Sequence, residues 1–168
     1  SVDTATGLGL FSGTSDTSFS PAQNLTRGML VTTLHRLSGT PDYGTGANVF
    51  PDVKDNDWYA HAADWSNAAG VATGTDKGFE PNTPVTREQM VTMIYRYAKT
   101  VGANPKADGS LSGFPDSSNV SSYAKEAMQW AVSAGIIQGR SGSIVPKGTA
   151  TRAEVAAVLT RFVDYLKK

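Results

Sequence analysis

The sequence has no cysteine, no net charge and no long apolar run, and each absence removes a class of protein. Its 168 residues carry 15 Lys plus Arg against 15 Asp plus Glu. Without cysteine there is no disulfide framework, no thiolate zinc or iron–sulfur site and no thiol nucleophile. Zero net charge and no basic run leave no electrostatic footprint for nucleic acid, nor one for an anionic membrane surface. No apolar stretch approaches the roughly 20 residues that a helix needs to span a bilayer. No charged-then-apolar leader opens the chain, which places any export signal outside this segment. What the chain does have is 6 Phe, 6 Tyr and 3 Trp at a charged content of only 18%, a composition that can bury a core rather than stay disordered. It also has 17 Gly and 8 Pro, and these recur in order.

Residues 9–37, 70–97 and 135–162 repeat one another. Each holds a Gly-x-x-x-Gly, a short variable loop, a Pro, and six residues later an Arg preceded by Thr. The pairs are Thr26-Arg27, Thr86-Arg87 and Thr151-Arg152. The second and third repeats share an upstream half: Phe50-Pro51-Asp52 matches Phe114-Pro115-Asp116, and Trp58, Ala62, Trp65 and Ala69 match Tyr123, Ala127, Trp130 and Ala134. The first repeat lacks that half, and Ser1 to Thr6 read as the tail of its missing helix. The expected division is residues 1–45, 46–105 and 106–168, three repeats forming one module.

Each full repeat reads helix–loop–helix. The upstream helices, 57–69 and 121–134, place aromatics and alanines on one face of a 3.6-residue period. They end at Gly70 and Gly135, residues suited to the left-handed position after a helix. The downstream helices span 86–100 and 151–166, with Val155, Val158, Leu159 and Phe162 on the apolar stripe of the last. Linkers fall at 39–49 and 101–113. One helical pair buries too little surface to stand alone, so the repeats must pack together. The fold class is all-α.

The Thr-Arg-x-x motif has two layers. Thr86 with Gln89, and Thr151 with Glu154, fit a capping box, in which the Thr caps the helix and the residue at N3 reaches back to the Thr N–H. Leu25 with Leu30, Val85 with Met90, and Ala150 with Val155 fit the hydrophobic staple. The first repeat keeps Thr26 but has Met29 in the acid's place. The Arg is the second layer, because a cation at the first helical position opposes the helix dipole by about 0.3–1 kcal/mol. Three in register need a reason. Helix-start N–H groups plus a guanidinium suit a planar carboxylate ligand. Equally, each Arg can pair with an acid of a neighbouring repeat, such as Asp52 or Asp116. The two roles are compatible.

Taken together, Phe-Pro-Asp-Val, Trp-Tyr-x-x-Ala, Ala-Gly-Val-x-x-Gly, Phe-x-Pro and Val-Thr-Arg-Glu-Gln resemble the S-layer homology module. The resemblance covers nearly the whole chain, as two full repeats and the second half of one. It implies a helical bundle of three repeats with pseudo-threefold symmetry. Such modules anchor exported proteins at the bacterial cell surface, extracellularly, by binding secondary cell-wall polysaccharide. That polysaccharide often bears a pyruvate ketal whose carboxylate meets the motif's Arg. Carried over residue by residue, the glycan-binding candidates are Arg27, Arg87 and Arg152; Asp52 and Asp116 in the family's aspartate position; Trp58 and its counterpart Tyr123; and Gly74, Thr75, Gly139 and Ser141 on the loop after Gly-x-x-x-Gly. If a groove joins one repeat's Arg to the next repeat's upstream helix, Arg27 faces 52–58 and Arg87 faces 116–123. The Arg152 groove then needs the missing half. The expected partner is one anionic polysaccharide, and the module is expected to be monomeric. The rival reading is a protein–protein module within a surface layer.

Other constellations carry less. Trp65 and Trp130 share the alanine stripe and read as core. Asp52, Asp55 and Asp57 do not fit a calcium loop frame, which needs a Gly at six and a Glu at twelve; Asp57 reads as the cap of a helix starting at Trp58. His35 and His61 have no His, Cys or carboxylate partner at metal spacing. There is no Gly-x-Ser-x-Gly and no nucleophile–base set, so the chain reads as non-catalytic, with no metal and no cofactor.

Overall fold

A computed structural model describes residues 23–39, 50–54 and 56–167. The expected helix tail at Ser1 to Thr6, the first repeat's Gly-to-Pro loop, most of the 39–49 linker and Asp55 lie outside these residues. The fold is all-α: α1 (Arg27–Leu37), α2 (Ala60–Ala68), α3 (Arg87–Thr100), α4 (Lys125–Ser133) and α5 (Arg152–Leu166), with short 3-10 turns at Ser117–Asn119 and Ser122–Ala124.

The downstream helices start where the Thr residues place them. Thr26, Thr86 and Thr151 each accept a hydrogen bond at Oγ1 from the backbone N–H three residues on. The staple residues Leu25, Leu30, Val85, Met90, Ala150 and Val155 are fully buried. Thr86 forms the reciprocal capping box with Gln89. Thr151 does not, because the Glu154 carboxylate is drawn away to two arginines.

The upstream helices begin later than their periodicity suggests. α2 starts at Ala60 with no side-chain cap. Asp57 instead accepts from the Lys54 N–H at 2.8 Å and closes a tight turn before the helix. In the third repeat, the 3-10 turn at Ser122–Ala124 takes up the first residues of the expected helix. Both helices end as expected, with Gly70 and Gly135 at φ 74° and 72°, a backbone conformation that costs glycine little.

Three extended segments just before α1, α3 and α5 bond to one another in a ring. The Leu25 N–H donates to the Ala150 carbonyl at 3.0 Å, Ala150 to Val85 at 2.9 Å, and Val85 back to Leu25 at 2.8 Å. These three residues are wholly buried, where an unpaired peptide group is costly. None has its partner in its own repeat. α1 also packs on α2, and α3 on α4. An aromatic chain runs through the core: Trp65 meets Tyr97, Tyr97 meets Phe162, and Phe162 meets Trp130, with ring centroids 5.9–6.1 Å apart. Trp65 and Trp130 are core residues, as their stripe implies.

Candidate functional site

The geometry around each Arg begins with the loop that follows an upstream helix. In the second repeat the Asp52 carboxylate accepts from the Phe79 and Glu80 N–H groups at 2.8 and 2.7 Å. The Arg27 Nε donates to the carbonyl of that same Phe79 at 2.8 Å, and its guanidinium lies 5.3 Å from the Phe79 ring centroid. In the third repeat Asp116 accepts from Ile144 and Val145 at 2.9 and 2.8 Å, and the Arg87 Nε donates to the Ile144 carbonyl at 2.8 Å. Arg and Asp therefore do not pair directly. They hold opposite sides of one buried residue, the acid on its N–H and the Arg on its C=O.

The aspartates hold a strained turn. Glu80 and Val145 have φ 58° and 52°, a conformation unfavourable for any residue with a Cβ and most of all for a β-branched one. Gly78 sits so close that a Cβ would lie 2.6 Å from Asp52 Oδ1. The bonds from Ile144 and Val145 also hold the Asp116 carboxyl below its ordinary pKa.

At α1 and α3 the helix-start amides are not open to a ligand. Arg27 N–H donates to Thr83 O, Gly28 to Pro81 O, Arg87 to Gly148 O, Glu88 to Pro146 O and Arg152 to Gln23 O. With the third amide of each helix on its Thr, all three first-turn donors of α1 and α3 are already paired. Anion chemistry at these two helix starts falls to the guanidinium groups.

Two clefts of equivalent build lie near these groups: Arg27 lines one, and Glu154, the partner of Arg87, lines the other. The Arg27 cleft, about 290 Å³, is lined by residues 72–75, by Gln89, Thr92, Met93 and Arg96 of α3, and by Tyr123. The cleft beside Arg87, about 340 Å³, is lined by residues 137–140 and by Ala153, Glu154, Ala157, Val158 and Arg161 of α5. Their contents differ. Arg27 uses only Nε, and its two terminal nitrogens have no hydrogen-bond partner among the described residues. Arg87 uses the whole fork: Nε on Ile144 O, one terminal nitrogen on Gln138 O at 2.8 Å, the other on Glu154. Arg87 is 1% exposed. Burial first and the neighbouring Arg140 second lower its pKa to about 10, so it remains charged at neutral pH. Burial also lowers the Arg27 pKa.

Tyr123 is held at the lip of the Arg27 cleft by a buried acid. Glu88, 3% exposed, accepts from Ser121 N–H at 2.9 Å, Ser121 Oγ at 2.7 Å, Tyr123 OH at 3.1 Å and Lys147 Nζ at 2.8 Å. Burial alone would raise the Glu88 pKa; Lys147 and the Ser121 donors outweigh it and hold it low. Burial and the Glu88 charge push Tyr123 up to about 12.

The structure thus brings Arg27, Gly74, Thr75 and Tyr123 together in one cleft, and sets Gly139 in the other, whose Glu154 binds Arg87. Arg27 meets the 52–58 segment only through Asp52, on the far side of Phe79, and the aromatic that lines its cleft is Tyr123, which Glu88 holds there, rather than Trp58. Trp58, 62% exposed, lines neither cleft and packs edge-on against Tyr59. Ser141 lies at a hairpin tip closed by Arg140 and Ser143. Arg152 is buried, with one terminal nitrogen 3.5 Å from Met29 Sδ. Sequence reasoning did not single out Gln89 and Arg96 as cleft residues. The signal was present, since Gln89, Thr92, Met93 and Arg96 share one helical stripe.

Comparison with known proteins settles the family. The S-layer homology domain profile matches residues 1–28, 49–91 and 113–156, well over half of the chain. The chain belongs to the S-layer homology family. It is 32% identical over 148 residues to an exoglucanase, XynX, of Acetivibrio thermocellus, covering 88% of this chain and 14% of that protein. A cellulosome-anchoring protein of the same species is 24% identical over 87% of the chain and 33% of its own length. The S-layer protein sap of Bacillus anthracis is 28% identical over 85% and 17%. The chain therefore spans a small part of the curated relatives it matches. As an S-layer homology module it is a non-catalytic cell-surface anchoring unit, and among the described residues no helix is long and apolar enough to cross a membrane.

Proposed function

We propose that the module anchors by binding an anionic secondary cell-wall polysaccharide, with the Arg27 cleft as its main seat. The observation that carries this reading is the pair of unengaged Arg27 nitrogens bordering an open cleft of about 290 Å³. A planar carboxylate, such as that of a pyruvate ketal, takes two parallel N–H bonds from a guanidinium. Arg96 adds a second positive charge to the cleft wall, and no acid lines the cleft among the described residues. The Tyr123 ring offers a sugar its face, and Gly74 and Thr75 form the floor, the Thr75 hydroxyl already donating to Glu80 at 2.7 Å. Asp52 and Asp116 serve the same function indirectly, by holding the loops that the arginines grip. Arg87, Gly139 and Arg152 belong to further seats along the same polymer, Trp58 to a sugar-stacking surface, and Ser141 to the rim of the Arg87 cleft. Seats that one chain of glycan can span add avidity without new contacts.

The test is binding of purified wall glycan, before and after removal of pyruvate, by the wild type, Arg27→Ala and Arg27→Lys. Loss of a charge-assisted pair lowers affinity roughly ten- to a hundredfold. Lys fails nearly as badly as Ala if the site reads a planar carboxylate, because an ammonium has no fork. Circular dichroism checks that both variants fold. Glycan affinity unchanged in both variants overturns the reading and returns the clefts to a protein partner.

A further inference from the structure

The Arg27 and Arg87 clefts share one scaffold and differ at one decisive position. Gln89 and Glu154 are both the third residue of their helix, and both stand beside the Arg of the preceding repeat. Gln89 turns back to its own helix start, where its Oε1 accepts from the Thr86 N–H at 3.0 Å. Glu154 turns the other way. One carboxylate oxygen binds Arg87 and the other binds Arg140 at 3.0 Å. Position 75, the counterpart of Arg140, is a Thr. A planar carboxylate between two guanidinium groups is the arrangement an anionic ligand would itself adopt.

We propose that Glu154 is a built-in occupant of the Arg87 cleft, so that the module binds its anion tightly at Arg27 and weakly at Arg87. This rests on the anion-binding reading above. Entry of a ligand carboxylate at Arg87 requires Glu154 to leave, and the place it goes to is already built. Thr151 Oγ1 accepts from the Glu154 N–H at 3.1 Å, as Thr86 does from Gln89 at 3.2 Å. Rotation of the Glu154 side chain onto the Thr151 N–H completes the capping box that Thr86 and Gln89 display. The departing carboxylate exchanges two charged partners for one neutral one, so the exchange costs affinity. It also releases the Arg87 and Arg140 nitrogens that held Glu154, which makes the second site charge-rich once opened. The two helices thus carry the same two-position switch, set to the cap in α3 and to the cleft in α5.

The experiment is a calorimetric titration of the full chain with a methyl glycoside bearing a 4,6-linked pyruvate ketal. The wild type is expected to show one tight and one weak site. Glu154→Gln, which keeps shape and capping ability, tightens the weak site by roughly ten- to a hundredfold, the range of one charge-assisted bond. Gln89→Glu weakens the tight site by a similar factor. In the nitrogen–proton spectrum, saturating ligand moves the Thr151 amide towards the position of the capped Thr86 amide. If Glu154→Gln and Gln89→Glu leave both sites as in the wild type while Arg27→Ala abolishes the tight one, the occupant role is overturned and anion binding stands. If the wild type itself binds no pyruvylated glycoside, the anion-binding reading falls and this inference with it.

Discussion

Arg87→Ala separates the structural work of these arginines from their ligand chemistry. Arg87 is 1% exposed and donates to Ile144 O and Gln138 O while pairing with Glu154. Removing one partner of a buried ion pair typically costs about 3–5 kcal/mol, mostly through the charge left behind. Here Glu154 keeps Arg140 at 3.0 Å and is itself 21% exposed, which places the loss near the lower end. Gln138 is exposed and its carbonyl regains water, but the Ile144 residue is 2% exposed and its carbonyl has no such recourse, for about 1–3 kcal/mol. The sum is about 3–4 kcal/mol after allowing for overlap between the two effects. For a chain of this length each kcal/mol moves the melting temperature by about 2–4 °C, so calorimetry should record a fall of roughly 6–16 °C. Arg27→Ala loses a single Nε bond and a ring contact, for about 2 kcal/mol, and its fall should be clearly smaller. A melting temperature for Arg87→Ala within about 2 °C of the wild type, less than 1 kcal/mol, would refute the idea that Arg87 holds the loop of the next repeat.

Other perturbations probe the same architecture. Val145→Gly relieves a β-branched residue at φ 52° and should stabilise the fold by about 1 kcal/mol, read as a raised urea midpoint; a destabilisation would mean that the Val145 side chain matters more than its backbone. Asp116 and Glu88 both have depressed pKa values, so each contributes stability in full above its unfolded value, about pH 4. That contribution is lost as pH falls through the folded value. Asp116→Asn should accordingly flatten the acid limb of a stability–pH curve, and a curve parallel to the wild type would contradict it. Thr86→Ala removes half of a capping box and should cost about 1 kcal/mol. Glu88→Gln should free Tyr123, seen as greater mobility of its ring signals and a lower phenol pKa by NMR; an unmoved phenol pKa would show that burial alone sets it.

The repeat, the starts of the downstream helices and the core were legible because each rests on a local rule. Thr before Arg, apolar residues flanking it, and Gly after the alanine stripe specify cap, staple and stop within a few residues of one another. Trp65 and Trp130 declared themselves by sharing the alanine face. What local rules did not reveal was where long polar side chains go. Asp57 was expected to cap a helix and instead closes the turn before it, because the helix starts at Ala60. Glu154 satisfies the capping-box pattern as well as Gln89 does, yet only a partner 67 residues away decides its direction. Tyr123 belongs by pattern with Trp58, but Glu88, which Gly28 replaces in the first repeat, gives it a different address.

The ring of hydrogen bonds among Leu25, Val85 and Ala150 explains why the scaffold repeats while its clefts do not. Each buried peptide group finds its partner only in another repeat, so backbone geometry at the three helix starts must stay alike for the ring to close. The same closure places Arg27 and Arg87 each against the loop of the next repeat, where the Nε has one carbonyl to meet. The third helical residue is under no such constraint. It points away from the ring, and a cap, a thioether or an arginine clamp all leave the backbone unchanged, as Gln89, Met29 and Glu154 demonstrate. A repeat scaffold of this kind can therefore vary the occupancy and charge of each cleft one residue at a time without disturbing the bonds that hold the repeats together.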